Sequence, residues 1–213
     1  MYFSYGKKET EYLKQKDKRL AEVIDTVGPI RRTVDPDLFA GVVHQIVGQQ
    51  ISTAALRTVW KRFRDALGEV SPETITAAST DDLQQLGLSY RKVGYIKEFA
   101  GKVADGSFDL AGLPEKSDAE AIAQLTTLRG VGVWTAEMLL LFCLERPDVF
   151  SYDDLALQRG LRMVYHHRAI SRELFEKYRR RYSPYGSVAS LYLWEVAGGA
   201  LEERKEKSNG KKS

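Results

Sequence analysis

Two glycines separated by one valine divide two apolar helical patterns near the middle of the chain, within residues 125–136. Before the glycines, apolar residues recur at helical spacing up to Leu128, and a second apolar helix begins at Val133. Glycine permits backbone conformations and close approaches that side chains exclude. The first turn of the following helix also presents unbonded N–H groups. The pattern therefore predicts a helical hairpin that binds an anion such as a nucleic-acid phosphate, although an ordinary helix–helix turn is the alternative.

Composition limits the class of protein. The chain has 213 residues, 43% of them hydrophobic and 29% charged, which suits one core or two small lobes. A net charge of +3 permits binding to a polyanion only through a local basic patch. The single cysteine, Cys143, lies in an apolar run; it predicts a core residue and excludes an internal disulfide framework or a four-cysteine metal site.

Helical patterns predominate along the whole chain, and no convincing alternating strand is present. We therefore expect an all-α fold of many short helices in two lobes. Residues 1–34 should form an N-terminal helix, over 9–27, and a linker that pack on the core. Residues 35–201 should form the main domain, with a cleft between its lobes, and the charged tail 202–213 should be disordered. Neither an apolar secretory segment nor a membrane-length apolar run is present, so we expect a cytoplasmic protein with no membrane partner.

The stretch from Leu125, Leu-x-x-Leu-x-Gly-Val-Gly-x-x-Thr-Ala, resembles the helix-hairpin-helix of DNA repair glycosylases. In that superfamily a catalytic aspartate follows the hairpin, and Asp154 stands 24 residues after Gly130. The combination resembles the helix-hairpin-helix/Gly-Pro-Asp superfamily, and within it the alkylpurine branch of 3-methyladenine DNA glycosylases II. The resemblance, which covers roughly residues 35 to 200, implies a compact two-lobed helical glycosylase fold. It also implies a DNA-binding hairpin composed of Arg129, Gly130, Val131, Gly132 and Thr135.

The chemistry of the implied reaction suits a single carboxylate. An N-glycosidic bond breaks through a sugar with oxocarbenium character, which a carboxylate stabilises while it orients the attacking water. Alkylated purines already carry positive charge, so the leaving base needs little protonation. Asp153 and Asp154 could both be helix N-caps; we interpret Asp153 as a cap and, from the resemblance, Asp154 as catalytic. The family often has proline two residues before its aspartate, where this chain has Tyr152.

The residue after Gly132-Val133 decides between two reaction types. Bifunctional relatives, which also cut the strand, carry a lysine nucleophile there, whereas this chain has Trp134. The substitution predicts a hydrolytic enzyme without lyase activity.

Aromatic side chains suit a pocket for cationic bases, because such bases are attracted to an electron-rich ring face. The resemblance places Trp134 and Trp194 in the base pocket. Met138 shares a helix face with Trp134, and Tyr152 and His44 are weaker candidates. The alternative for the tryptophans is that they fill the core.

Two interruptions could present side chains that replace an extruded base. The loop Gly87–Arg91 resembles the family's minor-groove wedge, with Leu88, Ser89 and Tyr90 as candidates and Tyr90 preferred. The loop Gly48–Ser52 resembles the second insertion loop, where Gln49 and Gln50 could reach the opposite base. Either loop could instead be a polar turn between helices.

The resemblance also implies a structural sodium or potassium ion at the hairpin, bound by the backbone carbonyls of Thr126, Leu128 and Val131. No cofactor is expected to be required. The three histidines and Cys143 have no metal-ligand spacing that we recognise.

These observations favour a monofunctional glycosylase that removes alkylated purines, such as 3-methyladenine and 7-methylguanine, and leaves an abasic site. Its expected partner is double-stranded DNA containing damaged bases, and we expect a monomer, nucleoid-associated if bacterial. The alternatives are excision of hypoxanthine, uracil or etheno bases, and a non-catalytic helix-hairpin-helix DNA-binding protein. The presence of both Asp154 and Trp134 argues against the binding protein, which needs neither.

Overall fold

A computed structural model describes residues 1–200, and their regular structure is helical. The predicted all-α fold is confirmed, and the strand-like pairing within the described part is an isolated bridge between Tyr2 and Thr33. The predicted disordered tail, 202–213, lies outside the described residues. No helix within residues 1–200 has the length and apolar character needed to cross a membrane.

Twelve α-helices follow one another in the described part of the chain. They are α1 Lys7–Lys16, α2 Lys18–Val27, α3 Leu38–Gly48, α4 Thr53–Leu67, α5 Pro72–Ala77, α6 Thr80–Gln85, α7 Tyr90–Ala104, α8 Asp118–Leu125, α9 Val133–Phe142, α10 Leu155–Tyr165, α11 Arg172–Tyr182 and α12 Gly186–Ala197. A 3-10 turn, Leu113–Glu115, precedes α8.

Serine caps explain where many of these helices begin. In each case the serine hydroxyl accepts the backbone N–H three residues on, which satisfies an amide that the helix leaves unbonded. The capping serines are Ser52, Ser71, Ser79, Ser89, Ser117 and Ser171. At Ser117 a capping box is complete, because the Glu120 carboxylate accepts the Ser117 backbone N–H.

The N-terminal helix predicted over 9–27 is instead two helices, α1 and α2. Asp17 adopts an extended conformation between them, and its carboxylate accepts the backbone N–H of Leu20 at 3.0 Å. Its other oxygen pairs with the Arg181 guanidinium at 2.5 Å. Aspartate competes for backbone donors in this way and favours caps over helix interiors, so the apolar periodicity continues across a break that it does not reveal.

The chain divides into two compact units. The first contains Met1–Val34 and the chain from Glu145 onward, and the second contains Asp35–Leu144. The N-terminal helices α1 and α2 therefore belong to the first unit, where α2 packs against α10 and α12 and α1 packs against α11 and α12.

Each unit has a helix at its centre that is apolar on most of its surface. In the first unit, residues 186–193 of α12 are all buried. Gly160 lets α10 approach α12 closely, since a Cβ there would lie 2.3 Å from the Leu193 carbonyl oxygen. In the second unit α3 packs against α4, α7 and α9, and Phe39 of α3 stacks on Phe99 of α7 with ring centres 4.9 Å apart.

Candidate functional site

The glycine hairpin connects α8 to α9 in the second unit, and its two glycines have different roles. Gly130 has φ +84°, and a Cβ at this position would lie 2.5 Å from Cδ2 of Tyr95. Gly132 has φ −90°, caps α9, and would meet no atom within 4 Å. Only Gly130 therefore requires glycine for backbone conformation and close approach, whereas Gly132 leaves the start of α9 uncovered.

Side chains from the rest of the second unit hold the hairpin in place. The amide of Gln49 donates to the Gly130 carbonyl at 2.5 Å. The Arg129 guanidinium lies over the Tyr95 ring, 5.3 Å from its centre, and pairs with Glu98 at 3.2 Å. Arg129 nevertheless remains largely exposed, so its charge stays available to an anion beside the corner.

Exposure differs among the hairpin residues predicted to bind DNA. Arg129 and Gly132 are exposed, but the side chains of Val131 and Thr135 are buried, with Thr135 only 5% exposed. Thr135 therefore belongs to the hairpin as predicted from the sequence only through its backbone, because its side chain is buried. Val131 can contribute only its backbone.

The hairpin carbonyls have a donor chemistry that fits the predicted sodium or potassium ion, because carbonyl oxygens bind such ions in proteins. The Leu128 carbonyl accepts the N–H of Val131 at 3.1 Å. A carbonyl oxygen has two lone pairs, so this bond leaves one for a ligand.

Asp154 lies in the first unit, where it is the N-cap of α10. Its Oδ1 accepts the backbone N–H of Leu157 at 2.7 Å and the indole N–H of Trp194 at 3.2 Å. The side chain is 6% exposed. The cap role that we predict for Asp153 from the sequence belongs instead to Asp154, and Asp153 is exposed. Capping and catalysis are compatible, because a carboxylate that caps a helix keeps its negative charge.

Of the predicted pocket residues in the first unit, the structure brings Trp194 to Asp154. Trp194 is half-buried, and the Arg32 guanidinium lies 5.9 Å from the centre of its ring. Tyr152 is differently placed: its ring meets the edge of Phe175 at 5.2 Å and is covered by the Arg172 guanidinium at 4.6 Å. Phe175 and Arg172 thus cover part of the Tyr152 ring, which leaves less of the ring available to a base.

The predicted pocket residues of the second unit do not lie in one environment. Trp134 is 39% exposed on the first turn of α9, so it is not a core filler, whereas Met138 is buried in the core. His44 meets the edge of Trp60 at 4.8 Å and lines a cavity of about 490 Å³ beside α4. Burial lowers the pKa of His44, so its imidazole is neutral at pH 7.

The two insertion loops also contain buried and exposed positions. Tyr90 is 60% exposed, but Leu88 is 4% exposed and lies in the core, and Ser89 caps α7. The prediction of Leu88 as a wedge residue is therefore wrong, because a buried side chain cannot enter the duplex. In the second loop the Gln49 amide N–H donates to the hairpin carbonyl of Gly130, and Gln50 is exposed with φ +57°. A contact of either side chain with the opposite base stays a prediction.

Sequence reasoning missed several exposed apolar side chains next to these sites, among them Val133 at the start of α9. Ile51 is exposed between Gln50 and the cap of α4, and Leu155 is exposed directly after Asp154. Ile51 and Leu155 fit the apolar periodicity of the adjoining helices, so the pattern alone predicts that they are buried. Within residues 1–200 no group of three or more histidine, cysteine, aspartate or glutamate residues could hold a metal ion.

Comparisons with known proteins identify the family to which the chain belongs. Residues 43–184 match the model of the HhH-GPD superfamily base excision DNA repair proteins. The putative DNA-3-methyladenine glycosylase YfjP of Bacillus subtilis is 30% identical over 170 residues, which are 76% of this chain and 59% of that protein. The chain thus spans less than two thirds of that relative. DNA-3-methyladenine glycosylase 1 of Schizosaccharomyces pombe is 28% identical over 84% of this chain and 81% of its own length.

Solved structures of 3-methyladenine DNA glycosylases are also similar to this chain. The crystal structure of a DNA-3-methyladenine glycosidase from Bacillus halodurans has a TM-score of 0.83, with 34% identity over 95% of both chains. The structure of the Schizosaccharomyces pombe 3-methyladenine DNA glycosylase in complex with abasic DNA has a TM-score of 0.76. Its identity is 26%, over 90% of this chain and 97% of that one.

Proposed function

Because the chain belongs to the HhH-GPD superfamily of base excision DNA repair proteins, we propose that it is a monofunctional DNA glycosylase. Its substrates are alkylated purines in double-stranded DNA, such as 3-methyladenine and 7-methylguanine, and it leaves an abasic site. The support for this substrate class is that relatives named as 3-methyladenine glycosylases match most of this chain.

The observation that carries the proposal is the placement of Asp154. A carboxylate that is 6% exposed and accepts bonds from Leu157 N–H and the Trp194 indole is held in one orientation. Such a group can stabilise the oxocarbenium character of the sugar and align a water molecule. A helix cap alone does not require the charge, since asparagine caps as well as aspartate does, and a negative charge beside a polyanion weakens DNA binding.

The second unit supplies the residues that would contact DNA. The hairpin offers the uncovered start of α9 and the exposed Arg129, which suit a phosphate. Helix α4, which begins directly after the loop Gly48–Ser52, exposes four cationic side chains: Arg57, Lys61, Arg62 and Arg64. These cations supply the local basic patch that the modest net charge of +3 requires. The carbonyls of Thr126, Leu128 and Val131 would hold a sodium or potassium ion, which supplies positive charge for a phosphate.

The damaged base must leave the duplex before it can be hydrolysed, and extrusion costs a few kcal/mol. Tyr90, the exposed side chain of the first insertion loop, would fill the space that the base leaves. Trp134 and Trp194 each present an indole ring, which attracts a cationic alkylated purine more strongly than a neutral one. Trp134 occupies the position where bifunctional relatives carry lysine, so hydrolysis is the expected reaction.

Methylated duplex DNA provides the test. The protein should release 3-methyladenine and 7-methylguanine, identified by mass spectrometry, and the strand should break only after alkali treatment. Asp154→Asn, measured in parallel, should release neither base. Duplexes with hypoxanthine, uracil or ethenoadenine test the alternative substrates. A protein that binds DNA but releases none of these bases would be a binding module, and the proposal would be wrong.

We also propose that the protein acts as a monomer in the cytoplasm, on the nucleoid if it is bacterial. The support is the composition, with its high charged fraction and no membrane-length apolar run. Light scattering of the protein alone and with one duplex should give one chain per particle, and a fluorescent fusion should colocalise with DNA.

A further inference from the structure

Helix α7 contains a buried cation that the chemistry described above does not use. Lys92 is 9% exposed, and its ammonium group donates to the carbonyls of Val47 at 2.9 Å and Gln49 at 2.6 Å. Val47 lies in the last turn of α3 and Gln49 is its C-cap. Burial lowers the pKa of Lys92, and the positive charge of Arg91 lowers it further. Lys92 thus fixes the end of α3 by binding carbonyls that the helix leaves unbonded.

Gln49 continues this connection to the DNA-binding hairpin. Its backbone carbonyl accepts from Lys92, and its side-chain amide donates to the Gly130 carbonyl at 2.5 Å. Gln49 is also the first residue after α3, since Gly48 belongs to the helix, and the second insertion loop is therefore Gln49–Ser52 in the structure. One set of hydrogen bonds therefore joins Lys92, the start of this loop and the hairpin.

The same side of α7 contacts the hairpin at two further positions. Tyr95, three residues after Lys92, lies against Gly130, and Glu98, three residues further, pairs with Arg129. Residues three apart are neighbours on a helix surface, so Lys92, Tyr95 and Glu98 form a continuous row. The beginning of α7 also contains Tyr90, the exposed residue of the other insertion loop.

We propose that Lys92 is a positioning residue that couples the loop Gln49–Ser52 to the hairpin. The hairpin binds the phosphate, and the coupling holds the loop at a fixed distance from it, so that the loop enters the duplex where the base is extruded. The inference rests on the proposed function, since it assigns a role in base extrusion. Lys92 acts through Gln49 and Gly130 rather than on DNA, because its ammonium group is buried and already bound to two carbonyls.

The coupling predicts a specific defect. Without the Lys92 ammonium group the hairpin retains its glycines, its amides and Arg129, so binding to undamaged duplex should change less than threefold. The loop Gln49–Ser52 would lose its fixed relation to the hairpin. Base release from duplex DNA, where extrusion is required, should then fall about tenfold, while release from methylated single strands should be almost unchanged.

The chain offers a closely matched control on the same helix. Lys97 donates to the carbonyls of Thr76, in the last turn of α5, and Ala78, the C-cap of α5. Lys97 therefore binds a helix end as Lys92 does, but that end does not lead to the hairpin. Lys97→Met should lower the melting temperature without changing the ratio of duplex to single-strand rates.

The experiment compares Lys92→Met, Lys92→Arg, Gln49→Glu and Lys97→Met in the full chain. Two quantities are measured: the ratio of single-turnover rates on methylated duplex and single-stranded DNA, and the fluorescence of 2-aminopurine opposite a tetrahydrofuran abasic analogue. The second reports duplex distortion and requires no base release, so a failure of the proposed function remains distinguishable. If no protein releases a base, the fluorescence response alone decides the inference.

We expect Lys92→Met and Gln49→Glu to reduce both quantities, Lys92→Arg to restore part of the loss, and Lys97→Met to resemble the wild type. Gln49→Glu removes the amide donor without emptying the site of the buried lysine, so it tests the coupling if Lys92→Met does not fold. Because it adds a negative charge beside the hairpin, both quantities are compared at DNA concentrations that saturate each protein. Variants of Lys92 and Gln49 that only lower the melting temperature, with both quantities as in the wild type, would overturn the inference. An equal loss in Lys97→Met would also overturn it.

Discussion

The indole N–H of Trp194 and the backbone N–H of Leu157 donate to the same oxygen of Asp154, at 3.2 Å and 2.7 Å. The carboxylate is thereby fixed between α12 and the first turn of α10, where the helix dipole also favours a negative charge. The helix cap and the proposed catalytic group are thus one side chain. Substitutions that separate capping from charge can therefore test its role without unfolding the protein.

Asp154→Asn is the first such substitution. Asparagine caps helices as well as aspartate does, so the melting temperature should stay close to that of the wild type. The rate of base release should fall by about 100-fold or more, because the charge that stabilises the sugar is lost. DNA affinity should be equal or higher, since a negative charge is removed. Single-turnover assays and fluorescence anisotropy measure the two quantities.

Asp153→Asn is the control for this substitution, because Asp153 is exposed and does not cap the helix. It should retain wild-type turnover. Normal base release by Asp154→Asn would exclude Asp154 from catalysis, and a loss in Asp153→Asn instead would exchange the two assignments.

Trp194→Phe removes the indole donor and keeps an aromatic ring. Hydrogen bonds to charged groups contribute about 1.5–3 kcal/mol, so the maximal rate should fall about tenfold or more while DNA affinity changes little. The matched change Trp60→Phe, in the second unit, should leave the rate unaltered. Equal rates for Trp194→Phe and the wild type would show that the bond to Asp154 does not orient the carboxylate.

Gly130 and Gly132 allow the requirement for glycine to be tested within one hairpin. Gly130→Ala places a Cβ 2.5 Å from Tyr95 Cδ2 at φ +84°. It should therefore cost about 1–3 kcal/mol of unfolding free energy and weaken binding to all duplexes alike, since phosphate contacts carry no sequence information. Gly132→Ser adds a favourable cap in open space and should change stability by less than about 1 kcal/mol. Urea unfolding followed by circular dichroism compares them, and equal losses would refute the distinction.

The sequence indicated those features that depend on local chemistry. The ends of the hairpin helices and the glycine at Gly130 follow from interactions within a few residues. The break at Asp17 is local too, but the apolar periodicity runs through it, and the carboxylate's second partner, Arg181, is distant in sequence. The apolar periodicity therefore predicts one helix where the structure has two.

Burial of single loop residues could not be predicted in the same way. Leu88 and Tyr90 stand two residues apart in one loop, and only packing determines that the first is buried and the second exposed. Gln49 and Lys92 have polar side chains typical of a surface, yet their partners are carbonyls far away along the chain. Such long-range bonds have no periodic signal in the sequence, so neither partner could be predicted.

The wedge prediction can now be restricted to Tyr90. Because Tyr90 is 60% exposed, Tyr90→Ala should change stability by no more than about 0.5 kcal/mol. It should slow base release from duplex DNA and not from single strands, since only the duplex requires a side chain to fill the gap. Leu88→Ala should instead cost about 2–5 kcal/mol of stability. A Tyr90→Ala protein with an unchanged duplex rate would leave the exposed Ile51 as the apolar candidate to substitute next.

Trp134 provides the test of reaction type. A lyase forms an imine between an amine of the enzyme and C1′ of the sugar, and borohydride reduces this imine to a stable adduct. Since Trp134 has no amine, the wild-type protein incubated with methylated duplex and borohydride should give no protein–DNA adduct on a denaturing gel. A known bifunctional glycosylase with its own substrate is the positive control. Trp134→Lys should also give no adduct unless the new amine reaches C1′, whereas an adduct with the wild type would contradict hydrolysis as the sole reaction.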